Sequence, residues 1–292
     1  MFYFIATILL NVVISVLFKV FPRFKIDTLQ TIVINYFVCV VTGSLYIGRV
    51  PFHVAELSQP WFPWAVLMGA GFISIFNLIA YCTRVDGITT ATISNKLSLV
   101  IPVLFAIVFF HEGAGIAKLA GIVLAFPAVY LTTRVKEDDG KIPNLLWPVL
   151  LFVGSGLLDT IVNYVQHSYL ASSDVQATYT VFVFGVAACI GLVLITVLTL
   201  MKKIKLEPRN IVAGIAIGVP NYFSIYFLIR ALNSNVMQSS ATIPVINIGV
   251  LVASSLAAII FFKEKVNAQR LVGLLLAVVA IYLIAFQPGM AK

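Results

Sequence analysis

Apolar residues along this chain come in long blocks, without the strict alternation of a half-buried strand. Ten such blocks lie near residues 2–18, 28–47, 61–83, 89–110, 116–134, 145–166, 175–200, 210–232, 238–262 and 268–287. Each is close to the ~20 residues that a helix needs to cross a hydrocarbon layer of ~30 Å. They are about twice the length of a barrel strand and lack its alternating signature. Short polar stretches punctuate them, such as Arg49-Val50-Pro51 and Asp138-Asp139-Gly140, and the longest hydrophilic stretch runs only from Arg134 to Asn144. The pattern predicts an all-α membrane protein of ten transmembrane helices with no soluble domain. The first block opens on Met1-Phe2-Tyr3, with no basic segment before it and no small-residue cleavage site before Lys19. It is expected to remain as a helix.

Composition excludes the soluble alternative. Hydrophobic residues make up 61% of the chain and charged residues 10%, against about 25% charged in soluble domains. The net charge of +8 comes from 19 Lys and Arg, most of them in short loops, where they read as topology signals and not as a nucleic-acid face. Fourteen lie in the loops after the odd-numbered blocks; four, Arg49, Lys118, Arg230 and Lys292, lie in the remaining loops and termini. By the positive-inside rule the richer side is cytoplasmic, which places both termini outside a plasma (bacterial inner) membrane. Trp61 and Trp64 then fall at the outer interface. Cys39, Cys82 and Cys189 sit inside apolar blocks without a CxxC spacing, so neither a disulfide framework nor a metal site is expected.

The chain repeats itself. Phe109-Phe110-His111-Glu112, Lys118, Gly121, Ala125 and Tyr130-Leu131 match Phe261-Phe262-Lys263-Glu264, Arg270, Gly273, Ala277 and Tyr282-Leu283, every pair 152 residues apart. Ala91-Thr92-Ile93 matches Ala241-Thr242-Ile243 at a spacing of 150. Residues 1–136 and 145–292 therefore read as two five-helix repeats joined by a central loop, 137–144. Five is odd, so the second repeat lies upside down relative to the first. That is the inverted-repeat plan of secondary transporters, whose substrate site lies near the midplane. One chain supplies both halves, so a monomer is expected.

Ten helices, two five-helix repeats and an aromatic–aromatic–x–Glu junction followed nine residues later by Gly resemble the drug/metabolite transporter superfamily, and within it the EamA-type metabolite exporters. The resemblance covers almost the whole chain and implies export or exchange of small metabolites, amino acids among them. Many ten-helix members keep both termini in the cytoplasm, a point on which the charges of this chain differ. Smaller four-helix multidrug exporters of the superfamily use a first-helix Glu to bind lipophilic cations. This chain has Asn11, Ser15 and Lys19 there instead.

The candidate site residues are polar positions inside the blocks, where an ionisable group costs at least ~2.5–3.5 kcal/mol to insert. Asp159 begins a stripe with Asn163 and His167 at i, i+4, i+8, on one helical face. Asn11, Ser15 and Lys19 form the corresponding stripe 148 residues earlier. Such faces either line a central cavity or act as interhelical hydrogen-bond glue. Lys96 lies inside the fourth block beside Asn95, itself 152 residues before Asn247; it either receives a substrate anion or forms a standing pair with Asp159. Asn77 with Tyr81, and Asn221 with Tyr222, are further candidates for a pocket wall. Glu112 and Glu264 read as turn acids that complement the following helix start. Arg230 reads as an interfacial charge. Pro102, Pro220 and Pro244 are candidate hinges, and Gly214 with Gly218 is a packing motif.

One Asp and one Lys within the membrane fit a zwitterion or anion better than a bulky cation. The expected function is secondary transport of small polar metabolites by alternating access, with Asp159 meeting the amine and Lys96 the carboxylate. Expected partners are the substrate and the lipid bilayer; the proton is a candidate coupling ion, since Asp159 and His167 are titratable, while facilitated exchange needs neither to change charge. No cofactor, no nucleic acid and no enzymatic activity are expected. Multidrug or lipophilic-cation efflux is the rival within the class. A polytopic membrane enzyme is the rival outside it, but HExxH, a Cys/His metal spacing and a glycine-rich phosphate loop are all missing.

Overall fold

The computed structural model of the chain describes residues 1–86, 88–111, 113, 115–133, 146–234, 236–262 and 268–285. Among these every regular element is helical. In chain order the helices are α1 (Phe2–Val20), α2 (Thr28–Ile47), the single turn α3 (Val54–Leu57), α4 (Phe62–Asp86), α5 (Ile88–Leu97), α6 (Val100–Phe109), α7 (Ile116–Thr133), α8 (Leu146–Tyr169), α9 (Ser173–Leu200), α10 (Pro208–Leu232), α11 (Ser239–Phe262) and α12 (Ala268–Ala285). Seven of them are long and apolar enough to cross a membrane, and three shorter apolar helices span Ser94–Phe109, Ile116–Leu131 and Leu271–Ile284. Large apolar side chains such as Leu45, Val123, Val193 and Ile260 are exposed, an arrangement that lipid solvates and water does not. The protein is helical and membrane-embedded. Glu112, Lys263, Glu264 and the central loop 137–144 lie outside the described residues.

Local chemistry sets the helix ends. Asp27 caps α2 by accepting from the Gln30 backbone amide at 2.9 Å. Ser172 caps α9 through the Val175 amide, as short oxygen side chains do. Pro208 opens α10, where its missing N–H costs nothing. Gly48 closes α2 at φ 77°, a left-handed conformation that a Cβ disfavours. The fourth apolar block is broken into α5 and α6 around Ser98 and Leu99. Pro102 explains the position: it has no N–H for the Ser98 carbonyl, and its ring crowds that carbonyl. The Ser98 carbonyl is instead taken up by the Ile101 amide at 3.0 Å. Pro220 and Pro244 lie within continuous helices.

The chain forms two compact units. The first contains Met1–Ser74 and Tyr164–Asn233, the second Ile75–Asn163 and Ser234–Lys292, so α4 and α8 each contribute to both. In the first unit α2 packs along α10 and α9, and α1 along α10. The close approaches run through glycine. A Cβ on Gly218 would stand 2.4 Å from Val38, one on Gly214 2.5 Å from Ile34, and one on Gly191 2.6 Å from Val33. The Gly214–Gly218 motif thus has α2 as its partner. At one end of this unit a buried network joins α2 to the start of α10: Asn210 accepts from the Asp27 amide at 2.9 Å and donates to Gln30 at 2.8 Å, while Gln30 donates to the Lys205 carbonyl at 2.8 Å. Arg209 reaches the Phe24 carbonyl at 3.2 Å. The exposed Lys19, Arg23, Lys25, Lys202, Lys203, Lys205 and Arg209 therefore share one end of the unit.

In the second unit α7 lies along α12, while α11 meets α6, α7 and α12. Gly121, Ala125 and Ala128 on α7, and Gly273, Ala277 and Ala280 on α12, are all buried. A Cβ on Gly121 would stand 3.0 Å from the Ala280 carbonyl. The small residues that match at 152 are thus a shared packing stripe. Lys118, counted among the loop charges from the sequence, is 1% exposed. It donates to Gln238 at 2.6 Å and to Ser240, which fastens the start of α7 to the start of α11.

Candidate functional site

The face of α8 that carries Asp159 is met by two other helices of the second unit. The side-chain amide of Asn247 of α11 lies beside the Asp159 carboxylate, placed to donate to it. Lys96 of α5 interacts electrostatically with Asp159, without a direct ion pair between them. Asn95, next to Lys96, donates to Ser155 at 2.9 Å, and the Ser98 hydroxyl ties the Asn95 carbonyl at 2.6 Å. Ser155, Asp159 and Asn163 occupy successive turns of α8, so Asn95 and Asn247 hold adjacent rungs of one ladder. Asp159 and Lys96 are only partly buried. Asn163 is 0% exposed, and neither its amide nitrogen nor its oxygen has a hydrogen-bond partner among the described residues. An unpaired amide at that depth costs about 1–3 kcal/mol, so this face has polar capacity left for a water or a ligand.

The arrangement can do specific chemistry. A carboxylate beside an amide, and an ammonium that feels it without touching it, put a hydrogen-bond acceptor and a donor of opposite charge on one helical face. Ser155 and Asn95 add a hydroxyl and an amide. Among the described residues no group of three or more His, Cys, Asp and Glu could hold a metal ion.

The other sequence candidates lie elsewhere. Tyr81 belongs to the second unit but is 41% exposed, its ring 4.7 Å from that of Trp147. Asn77 is exposed. Asn11 and Ser15 belong to the first unit and bond within their own helix: Asn11 donates to the Thr7 carbonyl at 2.8 Å, and Ser15 to the Asn11 carbonyl at 2.8 Å. Asn221 donates to Asn35 at 3.2 Å, in a core network that also takes in the Cys39 thiol. Tyr222 is fully buried, its ring against Gly43 and its hydroxyl 3.5 Å from the Ala177 carbonyl. His167 is exposed.

Two polar residues escaped the sequence reading. Ser155 carried a usable signal, since it lies four residues before Asp159 and 148 after Thr7, which extends both stripes by one turn. Asn35 carried none beyond being an amide in an apolar block.

No family model matches the chain. An uncharacterized protein of Haemophilus influenzae is 26% identical to it over 289 residues, 95% of each chain. A solved crystal structure, 13% identical, superposes with a TM-score of 0.75 over 97% of this chain and 96% of the other. At that identity the likeness speaks for the fold: this chain shares a helical architecture with a protein of known structure over nearly its whole length.

Proposed function

We propose that this protein is a ten-span secondary transporter that exports or exchanges small polar metabolites, amino acids or related zwitterions and anions, by alternating access between two inverted five-helix repeats. The observation that carries the reading is the Asp159–Lys96 pair, held apart inside an apolar helical unit beside Asn247 and the unpaired Asn163. A membrane protein retains such charges for a purpose or for a partner, and here the partner does not close on the acid. Opposite charges at a short remove favour a zwitterion over a lipophilic cation, which Lys96 repels.

The pairing of helices supports the inverted repeat. Helices at matching places in the two sequence halves pack on each other: α2 on α9 in the first unit, α6 on α11 and α7 on α12 in the second. Contacts that are not self-matched also come in related pairs. α1 meets α10, and α4 meets α8, through Trp64 and Tyr164 in the first unit and Tyr81 and Trp147 in the second. An inserted charge count of seven at one end of the first unit, against Arg49 and Arg230 at the other, favours termini on the outside.

The test is ligand-induced thermal stabilisation of the detergent-purified protein against amino acids, organic acids, sugar phosphates, nucleosides and cationic dyes. A ligand at a hundred times its dissociation constant stabilises the folded state by about 2.7 kcal/mol. Zwitterions are expected to raise the midpoint in wild type and not in Lys96→Ala. Stabilisation by cationic dyes alone overturns the assignment in favour of drug efflux, and chemical conversion of the added compound overturns it in favour of an enzyme.

A further inference from the structure

The first unit holds a second charged group that the transport reading does not use. Arg230 lies in the last turn of α10, one turn past Tyr226. Tyr3 of α1, Tyr46 of α2 and the aromatic side chains of α10 surround that end of the unit. The rings of Tyr46 and Tyr226 are 5.2 Å apart, those of Tyr3 and Phe227 5.8 Å, and Tyr222 stacks on Tyr226 with planes 8° apart. Arg230 Nη2 donates to the Tyr3 hydroxyl at 2.8 Å, and its Cζ lies 5.1 Å from the centroid of the same ring.

Among the described residues no carboxylate pairs with this guanidinium; its electrostatic neighbours are the hydroxyls of Tyr3, Tyr226 and Tyr46. The contrast with other arginines is direct. Arg49 is exposed, yet it holds Glu56 at 3.2 Å and Asp174 at 3.0 Å, and exposed Arg209 holds Glu207. Arg230 is the more buried of the three, so it gains least from water and has no acid in place of it. Its planar fork offers five N–H donors, of which one is spent on Tyr3. That bond and the ring beneath it fix the orientation of the fork. The Tyr46 and Tyr226 hydroxyls share one hydrogen bond at 3.3 Å, so one of their two protons stays available. A pre-oriented guanidinium with a phenol proton beside it matches the paired oxygens of a carboxylate or phosphate.

We propose that Arg230, with Tyr3, Tyr46 and Tyr226, forms a binding site for the carboxylate or phosphate group of an organic anion. The site belongs to the first unit, whereas Asp159 and Lys96 belong to the second, so it does not rest on the transport reading. The anion is either a dissolved solute or the headgroup of an anionic lipid, and the two sources separate experimentally. Full-length protein in detergent is titrated calorimetrically with succinate and with glycerol phosphate, and protein released from phosphatidylglycerol nanodiscs is examined by native mass spectrometry for retained lipid. One arm is expected to show binding that weakens at least tenfold in Arg230→Gln. Arg230→Lys, which keeps the charge and loses the fork, should weaken it less, and Tyr3→Phe severalfold. Loss in the first arm identifies a solute site and loss in the second a lipid site. The proposal is overturned if wild type binds in neither arm, or if Arg230→Gln binds as wild type does. Should Arg230→Gln not fold, wild-type binding by both Arg230→Lys and Tyr3→Phe overturns it equally.

Discussion

Asp159 and Lys96 pose the problem that each charge is costly alone. Replacing either one leaves its neighbour as a lone, half-buried charge in the apolar unit, a destabilising change that stays below the ~3–5 kcal/mol of a broken fully buried pair. Asp159→Asn and Lys96→Met are therefore expected to lower the thermal midpoint singly. The double variant removes both charges and should recover most of that loss. A standing structural pair predicts that activity recovers with stability. A substrate receptor predicts that it does not, so transport by the double variant separates the two roles. Asn210 offers a test with no functional content. Asn210→Ala breaks its bonds to the Asp27 amide and to Gln30, and unmet buried polar groups cost about 1–3 kcal/mol. A lower midpoint with unchanged ligand response is expected. At this scale the sequence announces charges and not their partners: Asp159 and Lys96 stand out because an apolar block makes any charge conspicuous, whereas Ser155 and Asn35 look like ordinary small polar residues until another helix is laid against them.

The helices themselves were legible. Backbone that enters a hydrocarbon layer must satisfy itself and show an apolar surface; among the described residues each of the ten apolar blocks is helical, and seven of the helices are long and apolar enough to cross. What the blocks hide is where a helix breaks and what it touches. The gap between α5 and α6 is written only in Pro102, and Pro244 stands in α11 without such a gap. Pro102→Ala restores the missing donor, which should join α5 to α6 and raise the thermal midpoint. If the break is a hinge, transport falls at the same time; unchanged transport rules the hinge out. Glycine contacts give a second test by steric arithmetic. A methyl on Gly218 meets Val38 at 2.4 Å, and overpacking of this kind costs about 1–3 kcal/mol. Gly48→Ala meets nothing within 4 Å but must hold φ 77°, a cost of about 1–2 kcal/mol without any repacking. Gly218→Ala is expected to disturb the α2–α10 contact, read by cysteine cross-linking across it, while Gly48→Ala leaves that readout alone.

Over the whole molecule, the sequence repeat and the packing divide the chain differently. Sequence matching divides it at the central loop, because matching follows the order of helices. The compact units interleave instead, taking α1 and α2 with α9 and α10, and α5 to α7 with α11 and α12. No local pattern encodes such pairings, since each joins residues more than a hundred positions apart. The small-residue stripe Gly121, Ala125 and Gly273, Ala277 was visible as a repeat; only the fold reveals it as an interface. Topology is open to direct measurement. With the native cysteines replaced, single cysteines at Ser58 and Lys203 report the two ends of the first unit. A membrane-impermeant maleimide applied to intact cells should label Ser58→Cys at once and Lys203→Cys only after permeabilisation; the reverse order would place the termini in the cytoplasm.

Transport through the Asp159–Lys96 site is the central claim, and solute counterflow addresses it without the need for a coupling ion. Purified protein in liposomes preloaded with the amino acid that best stabilises it is diluted into a trace of the labelled compound. The expected result is a transient accumulation of label in wild type that falls at least tenfold in Asp159→Asn and in the Asp159→Asn/Lys96→Met variant, with folding intact by thermal midpoint. Counterflow that persists unchanged in those variants would contradict the claim.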